Sequence, residues 1–215
     1  MAAKISEIYF VRHGESTNNV EGTFVQENKH WLTAKGEKQA QNLIKVLRKE
    51  KFDLIVTSSY ERTQLTAWPL LKKHKKDFVV WPVQEFTPLP SKRYSKLTIA
   101  ERRRLNTAYW EKCDPGYQAD RGTENYIDFI KRIDAVKKRI LKGNFKKIVI
   151  FTHGAFIRHF IWRNFYPRRK IDNQAMLSGA RVGWGLAIKN TEIIKAIKIN
   201  NKLYFGELDS RHLKN

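Results

Sequence analysis

The chain has 215 residues, 41% of them hydrophobic and 12% aromatic, with six Trp and twelve Phe; this is enough apolar side chain for a packed core and too much for a disordered polymer. Lys and Arg number 42 against 21 Asp and Glu, a formal net charge of +21. The excess falls almost wholly after residue 50 and attracts polyanions such as phosphorylated substrates, nucleic acid or anionic lipid, although a basic composition with no dedicated site accounts for it equally. A single cysteine, Cys113, has no intrachain disulfide partner, and no run reaches the ~18 apolar residues of a membrane span, so one soluble, cytoplasmic domain over 1–215 is expected.

Ile5, Ile8, Tyr9, Phe10 and Val11 make a short apolar run that stops at Arg12-His13-Gly14, the pattern of a buried strand ending in a turn. After Thr33, a good N-cap, Ala40, Leu43, Ile44 and Leu47 recur at helical spacing as far as Glu50. Asp53–Thr57 reads as a second strand, and Ser58–Thr63 leads into a helix through Leu65, Ala67, Leu70 and Leu71 that Pro69 is expected to shift or bend. Phe78–Val83 reads as a third strand. Pro88, Pro90 and the basic stretch through Arg104 then predict an inserted cap at about 86–122, with helix resuming over 98–110.

Glu124–Leu141 is a second amphipathic helix, with Phe129, Ile133, Val136 and Ile140 on one face and Lys131, Arg132, Lys137 and Lys138 on much of the other. Ile148–Phe151 is a continuous apolar strand that stops at Thr152-His153-Gly154, and a helix over 155–164 follows. Two β-rich runs, Val182–Lys189 and Glu192–Asn200, are expected to pair as a hairpin across Asn190-Thr191. Alternating strands and helices predict a three-layer α/β/α sandwich with a mostly parallel central sheet, in which ligands collect beyond the carboxyl ends of the strands. Both His-Gly turns fall at such ends, where Gly14 and Gly154 would let the backbone turn sharply and approach an anion.

An Arg beside a His at a strand end suits an apolar core poorly, because a buried guanidinium without a partner is costly; an anion resolves the conflict. Asn19, Arg62, Glu85 and His153 fall just past strand ends or turns and are candidates for the same pocket.

Arg12–Ser16 (RHGES) with Asn19, the segments Leu32–Ala40 and Ser58–Ala67, then Glu85, Gly122–Glu124 and Thr152–Arg158 follow one another in an order that resembles the histidine phosphatase superfamily. The likeness is to the branch that includes cofactor-dependent phosphoglycerate mutase and the fructose-2,6-bisphosphatase domain. It implies a phosphoglycerate mutase-like fold. It implies also that His13 attacks phosphorus to form a phosphohistidine, that Arg12, Asn19, Arg62 and His153 hold the phosphoryl oxygens, and that Glu85 protonates the leaving alkoxide before water hydrolyses the phosphoenzyme.

The chemistry is coherent on physical grounds. Preorganised guanidinium and imidazole donors neutralise the three outer phosphoryl oxygens, and a neutral imidazole, kept so by Arg12 and Arg62, is a competent nucleophile near neutral pH. For Glu85 the same positive field favours the carboxylate, so burial and the bound phosphate are expected to push its pKa back up. No cofactor is expected, and no metal: a site made of His13, His153 and Glu85 would lie among arginines that repel a cation.

In the mutases this sequence resembles, the acidic residue is followed by arginine, whereas here Glu85 is followed by Phe86-Thr87-Pro88. This favours hydrolysis of a phosphomonoester over isomerisation. The substrate would be a small phosphorylated metabolite or a phosphopeptide, and a non-catalytic nucleic-acid or membrane-binding protein on a phosphatase scaffold is the competing class. Ser16 is a further candidate donor to phosphate, or a turn residue. Arg93 and Arg102, with Lys92, Lys96, Arg103 and Arg104, form either a substrate-facing lid or a solvated helix face. Phe86, Tyr94, Tyr109 and Trp110 line a pocket or anchor the cap. His30, His74, His159 and His212 read as structural, Glu15, Ser58 and Ser59 as turn and packing residues, and Cys113 as inert.

Overall fold

The computed structural model describes residues 5–20, 31–89 and 97–213. Its strands are β1 (Ser6–Arg12), β2 (Leu54–Thr57), β3 (Val79–Val80), β4 (Lys147–Thr152), β5 (Ile193–Ile199) and β6 (Lys202–Asp209). Its α-helices are α1 (Ala34–Leu47), α2 (Glu61–His74), α3 (Ile99–Lys112), α4 (Tyr126–Lys142), α5 (Gly154–Phe165) and α6 (Asn173–Gly185). The sheet runs β3-β2-β4-β1-β5-β6; β1 to β4 are parallel, and β5 and β6 are added antiparallel at one side.

Side-chain alternation along the strands builds two cores, one on each face of the sheet. Ile8 and Phe10 of β1, with Ile148 and Ile150 of β4, face Phe129, Ile133, Val136 and Ile140 of α4, Phe156 and Phe160 of α5 and Met176 of α6. Tyr9, Val11, Val149 and Phe151 face the other way, onto Leu43 and Leu47 of α1 and Ala67, Leu70 and Leu71 of α2. Each such side chain contributes about 1.5–3 kcal/mol of burial, so the alternation enforces the register and the helix-sheet-helix layering. Local caps agree with it: the side chains of Thr33, Asn125 and Asp172 accept from backbone N–H groups in the first turns of α1, α4 and α6. Pro69 lies inside α2 without ending it.

Three expectations are corrected. The hairpin is not Val182–Lys189 with Glu192–Asn200: residues 182–185 complete α6, and β5 pairs with β6 across Asn200-Asn201, both at positive φ (47° and 60°), as a tight two-residue turn requires. The third strand is two residues long, and the chain from Trp81 to Val83 leaves the sheet. Arg132 does not share a solvated face, since its side chain is 10% exposed. In the stretch expected to form the cap, Phe86 stacks on Phe129 at 4.6 Å and meets Tyr109, Trp110 and Tyr126 edge-on. These aromatics therefore anchor α3 to the core. Tyr94, Arg93, Lys92, Lys96 and His30 lie outside the described residues.

Candidate active site

Parallel pairing sets Arg12 of β1 opposite Thr152 of β4, and the His13 backbone N–H donates to Thr152 O at 2.9 Å. The residues that follow, His13 and His153, thus leave neighbouring strands at one level, with ring centroids 5.1 Å apart. Both are buried. His13 Nδ1 lies 2.7 Å from Gly14 O; a carbonyl only accepts, so Nδ1 carries the hydrogen and Nε2 the lone pair. Arg62 Nε donates to that Nε2 at 3.3 Å.

Arg62 enters from the first turn of α2, 2% exposed, with its guanidinium 4.7 Å above the Tyr60 ring. Arg12, half-buried, is tied by Nη1 to Ile188 O at 2.6 Å, while its Nε is buried without a hydrogen-bond partner among the described residues. Burial pushes the Arg12 pKa down, Glu85 opposes the shift, and Arg158 and Arg62 add to it. A Cβ on Gly154 would stand 3.4 Å from both Nη atoms of Arg158 and 3.5 Å from Arg12 Nε, ordinary contact distances, so two guanidiniums pack against this turn.

His153 Nε2 lies 2.9 Å from Ser58 Oγ. Ser58 Oγ is also 2.9 Å from Thr63 Oγ1, and His153 Nδ1 is buried with no hydrogen-bond partner among the described residues. Burial first, and then the charge of Arg62, hold the His153 pKa well below the usual histidine range, so the ring is neutral near pH 7. Glu85 Oε1 accepts from the backbone N–H groups of Phe86 at 3.2 Å and of Ala155, in the first turn of α5, at 3.1 Å. That ties the carboxyl to the same strand-to-helix junction as His153.

Asn19 is exposed; its Oδ1 accepts from the Ser16 backbone at 3.0 Å and from Ser16 Oγ at 3.1 Å. The Ser16 hydroxyl is thereby spent on the turn. Asn190 Nδ2 donates to His13 O at 2.9 Å and lies 3.4 Å from Asn19 Oδ1, joining the strap before β5 to both. Arg102 Nε donates to Leu97 O at 2.9 Å, which bonds it to the entry of its own helix. Arg93 is outside the described residues.

His13, Arg12, Arg62, His153 and Glu85 thus converge, with Asn19 at the rim. Neither Gly14 nor Gly154 has a positive φ, so left-handed backbone explains neither glycine. At Gly14 the constraint is the close approach of α1, since a Cβ would fall 2.8 Å from Gly36 O. Ser58, Tyr60, Arg158 and Asn190 also border the site, and the sequence reading gives them no part in it. The sequence signal for Ser58 and Tyr60 is their place in the Ser58–Ala67 segment and for Arg158 its place in the Thr152–Arg158 segment, and Asn190 has none. Among the described residues no group of three or more His, Cys, Asp or Glu could hold a metal ion, and no helix is long and apolar enough to cross a membrane.

A neutral imidazole with its lone pair among guanidiniums, a second imidazole and a carboxyl defines a phosphate-handling site. The chain belongs to the histidine phosphatase superfamily (branch 1), whose family model matches residues 8–176. It is 42% identical over 164 residues to the adenosylcobalamin/α-ribazole phosphatase of Escherichia coli, covering 73% of this chain and 77% of that protein. In fold it is similar to the α-ribazole phosphatase from Shigella flexneri (TM-score 0.72, 22% identity, 95% and 96% of the two chains covered). It is similar also to a phosphoserine phosphatase mutant from Entamoeba histolytica in complex with phosphoserine (TM-score 0.72, 20% identity, 97% and 99% covered).

Proposed function

We propose that the chain is a phosphomonoester hydrolase that works through a phosphohistidine on His13 and takes small phosphorylated metabolites as substrates. The observation that carries this reading is the His13 ring, locked by Nδ1 to Gly14 O with its nucleophilic Nε2 directed at the Arg62 guanidinium. Nε2 attacks phosphorus, the phosphorus–oxygen bond to the alcohol breaks, and Glu85 gives its proton to the departing oxygen. Water then attacks the phosphohistidine, Glu85 takes back a proton, the phosphorus–nitrogen bond breaks, and inorganic phosphate leaves. Through both steps Arg12, Arg62, His153 and Asn19 hold the outer oxygens, Arg12 by its Nε and His153 by its Nδ1.

Phe86 supports hydrolysis over mutase chemistry. Its buried ring occupies the position where the mutases carry an arginine, and it belongs to the apolar anchor of the cap. The relatives' names recommend α-ribazole phosphate and phosphoserine as the first compounds to try. The test is hydrolysis of these esters and of an aryl phosphate, with quenched turnover assayed for a base-stable, acid-labile phosphoryl group. Turnover and label should both vanish in His13→Ala; full activity in that variant rejects the nucleophile, and salt-sensitive nucleic-acid binding with no hydrolysis by the unaltered protein supports the binding class instead.

A further inference from the structure

Glu124, which ends the Gly122–Glu124 segment, takes no part in the reaction above, yet it is bonded to the residue that holds the acid's own backbone. β3 ends at Val80, so Glu85 stands beyond the sheet on irregular chain whose carbonyls must find partners elsewhere. One guanidinium supplies most of them. Arg132 of α4 donates by Nη1 to Pro82 O at 3.1 Å and Gln84 O at 2.9 Å, and by Nη2 to Glu85 O at 3.4 Å. Its Nε and the rest of Nη2 are taken by Glu124 Oε1 at 2.8 Å and Oε2 at 2.7 Å. The five N–H donors of the fork are matched by five bonds.

Two further contacts complete the frame. Thr152 Oγ1 donates to Val83 O at 2.5 Å, and the Glu124 backbone N–H donates to Thr87 O at 3.2 Å. The Arg132 and Glu124 side chains are 10% and 19% exposed, so the guanidinium needs the carboxylate for charge balance as well as for orientation. Lysine has no planar fork and cannot reach three carbonyls while pairing bidentately with Glu124.

We infer that the Glu124–Arg132 pair is a clamp that sets where the Glu85 carboxyl meets the leaving oxygen. Both are positioning residues, and the inference rests on the reading of Glu85 as the proton donor. A pair that served only the fold would slow all substrates alike; a clamp on the acid slows those that need the proton.

The experiment measures kcat/KM for phosphate monoesters with leaving groups from p-nitrophenol to a simple alcohol, in the unaltered protein, Glu85→Gln, Glu124→Gln, Arg132→Lys and Glu85→Gln/Glu124→Gln, with a melting curve for each. Glu124→Gln and Arg132→Lys should lower alkyl-ester turnover about 10- to 100-fold and aryl-ester turnover by no more than about threefold. The double variant should be no slower than Glu85→Gln. Equal loss on both ester classes, unchanged alkyl-ester turnover, or additive effects in the double variant overturn the clamp. Equal loss on both classes in Glu85→Gln itself instead removes the acid assignment. Arg132→Lys carries the comparison if Glu124→Gln does not fold.

Discussion

The contact between the nucleophile's turn and the start of α1 leaves no space for one methyl group. Replacing Gly36 by alanine would place a Cβ 1.9 Å from Glu15 O, a backbone atom that no side-chain rotation can move aside. Restoring ordinary contact separates helix and turn by about 1.5 Å, a backbone shift of the kind that overpacking forces. The Thr33 N–H to Glu15 O bond at 3.0 Å and the Glu15 N–H to Gln39 Oε1 bond at 2.8 Å span that seam. Overpacking costs about 1–3 kcal/mol and each loosened hydrogen bond about 1 kcal/mol. A loss on the order of 3 kcal/mol lowers the melting midpoint of a domain this size by about 6–12 °C. Because Gly14 carries the carbonyl that orients His13, kcat/KM should fall about 10- to 100-fold as well.

Thermal unfolding and aryl-phosphate kinetics check both figures, with Gly185→Ala as the control. Gly185 ends α6 and nothing lies within 4 Å of its added Cβ, so alanine there should shift stability by no more than about 1 kcal/mol, toward the stable side. A Gly36→Ala protein that melts within about 2 °C of the unaltered one and keeps its kcat/KM refutes the argument, as does an equal loss at Gly185.

Guanidinium and imidazole donors surround the site, so activity should survive dialysis against EDTA; lost turnover restored by a divalent ion counts against the proposed charge neutralisation. His159, buried among Trp110, Tyr126 and Phe129, has its pKa pulled from the ordinary 6.5 down to about 4, chiefly by burial. The unfolded chain takes up a proton below about pH 6.5 that the folded chain refuses until about pH 4, so stability falls with pH across that window by about 3 kcal/mol from this residue. Denaturant midpoints for His159→Phe should show a correspondingly shallower acid slope, and an unchanged slope removes the assignment.

Where a hydrophobic period coincided with burial, the sequence was legible. The short apolar runs of β1 and β4 and the 3.6-residue stripe of α4 predicted their elements to within a residue or two, because the same side chains form the two cores. It was least legible where partners are distant. Val182, Trp184 and Ile188 read as strand by residue type, but Asp172 caps α6 and Trp162 Nε1 donates to Ser178 Oγ at 3.0 Å, and tertiary packing overrides propensity there. Arg132 lies on the polar face of an amphipathic pattern, and nothing local indicates that irregular chain from residues 82 to 85 needs its donors. In the site, the positions at strand ends were predictable from topology. The seating of Gly14 against Gly36 and the Ser58–His153 bond were not, since each joins segments that only the fold brings together.

The parallel register that levels His13 with His153 also has a consequence for how the protein is made. A nascent chain that has emerged only through β3 lacks the central strand, and β1 and β2, which both pair with β4 and not with each other, have no shared neighbour until it arrives. Long-range parallel pairing is slow to form. Catalytic competence therefore reports insertion of that last central strand, and its recovery during refolding should lag behind helix formation.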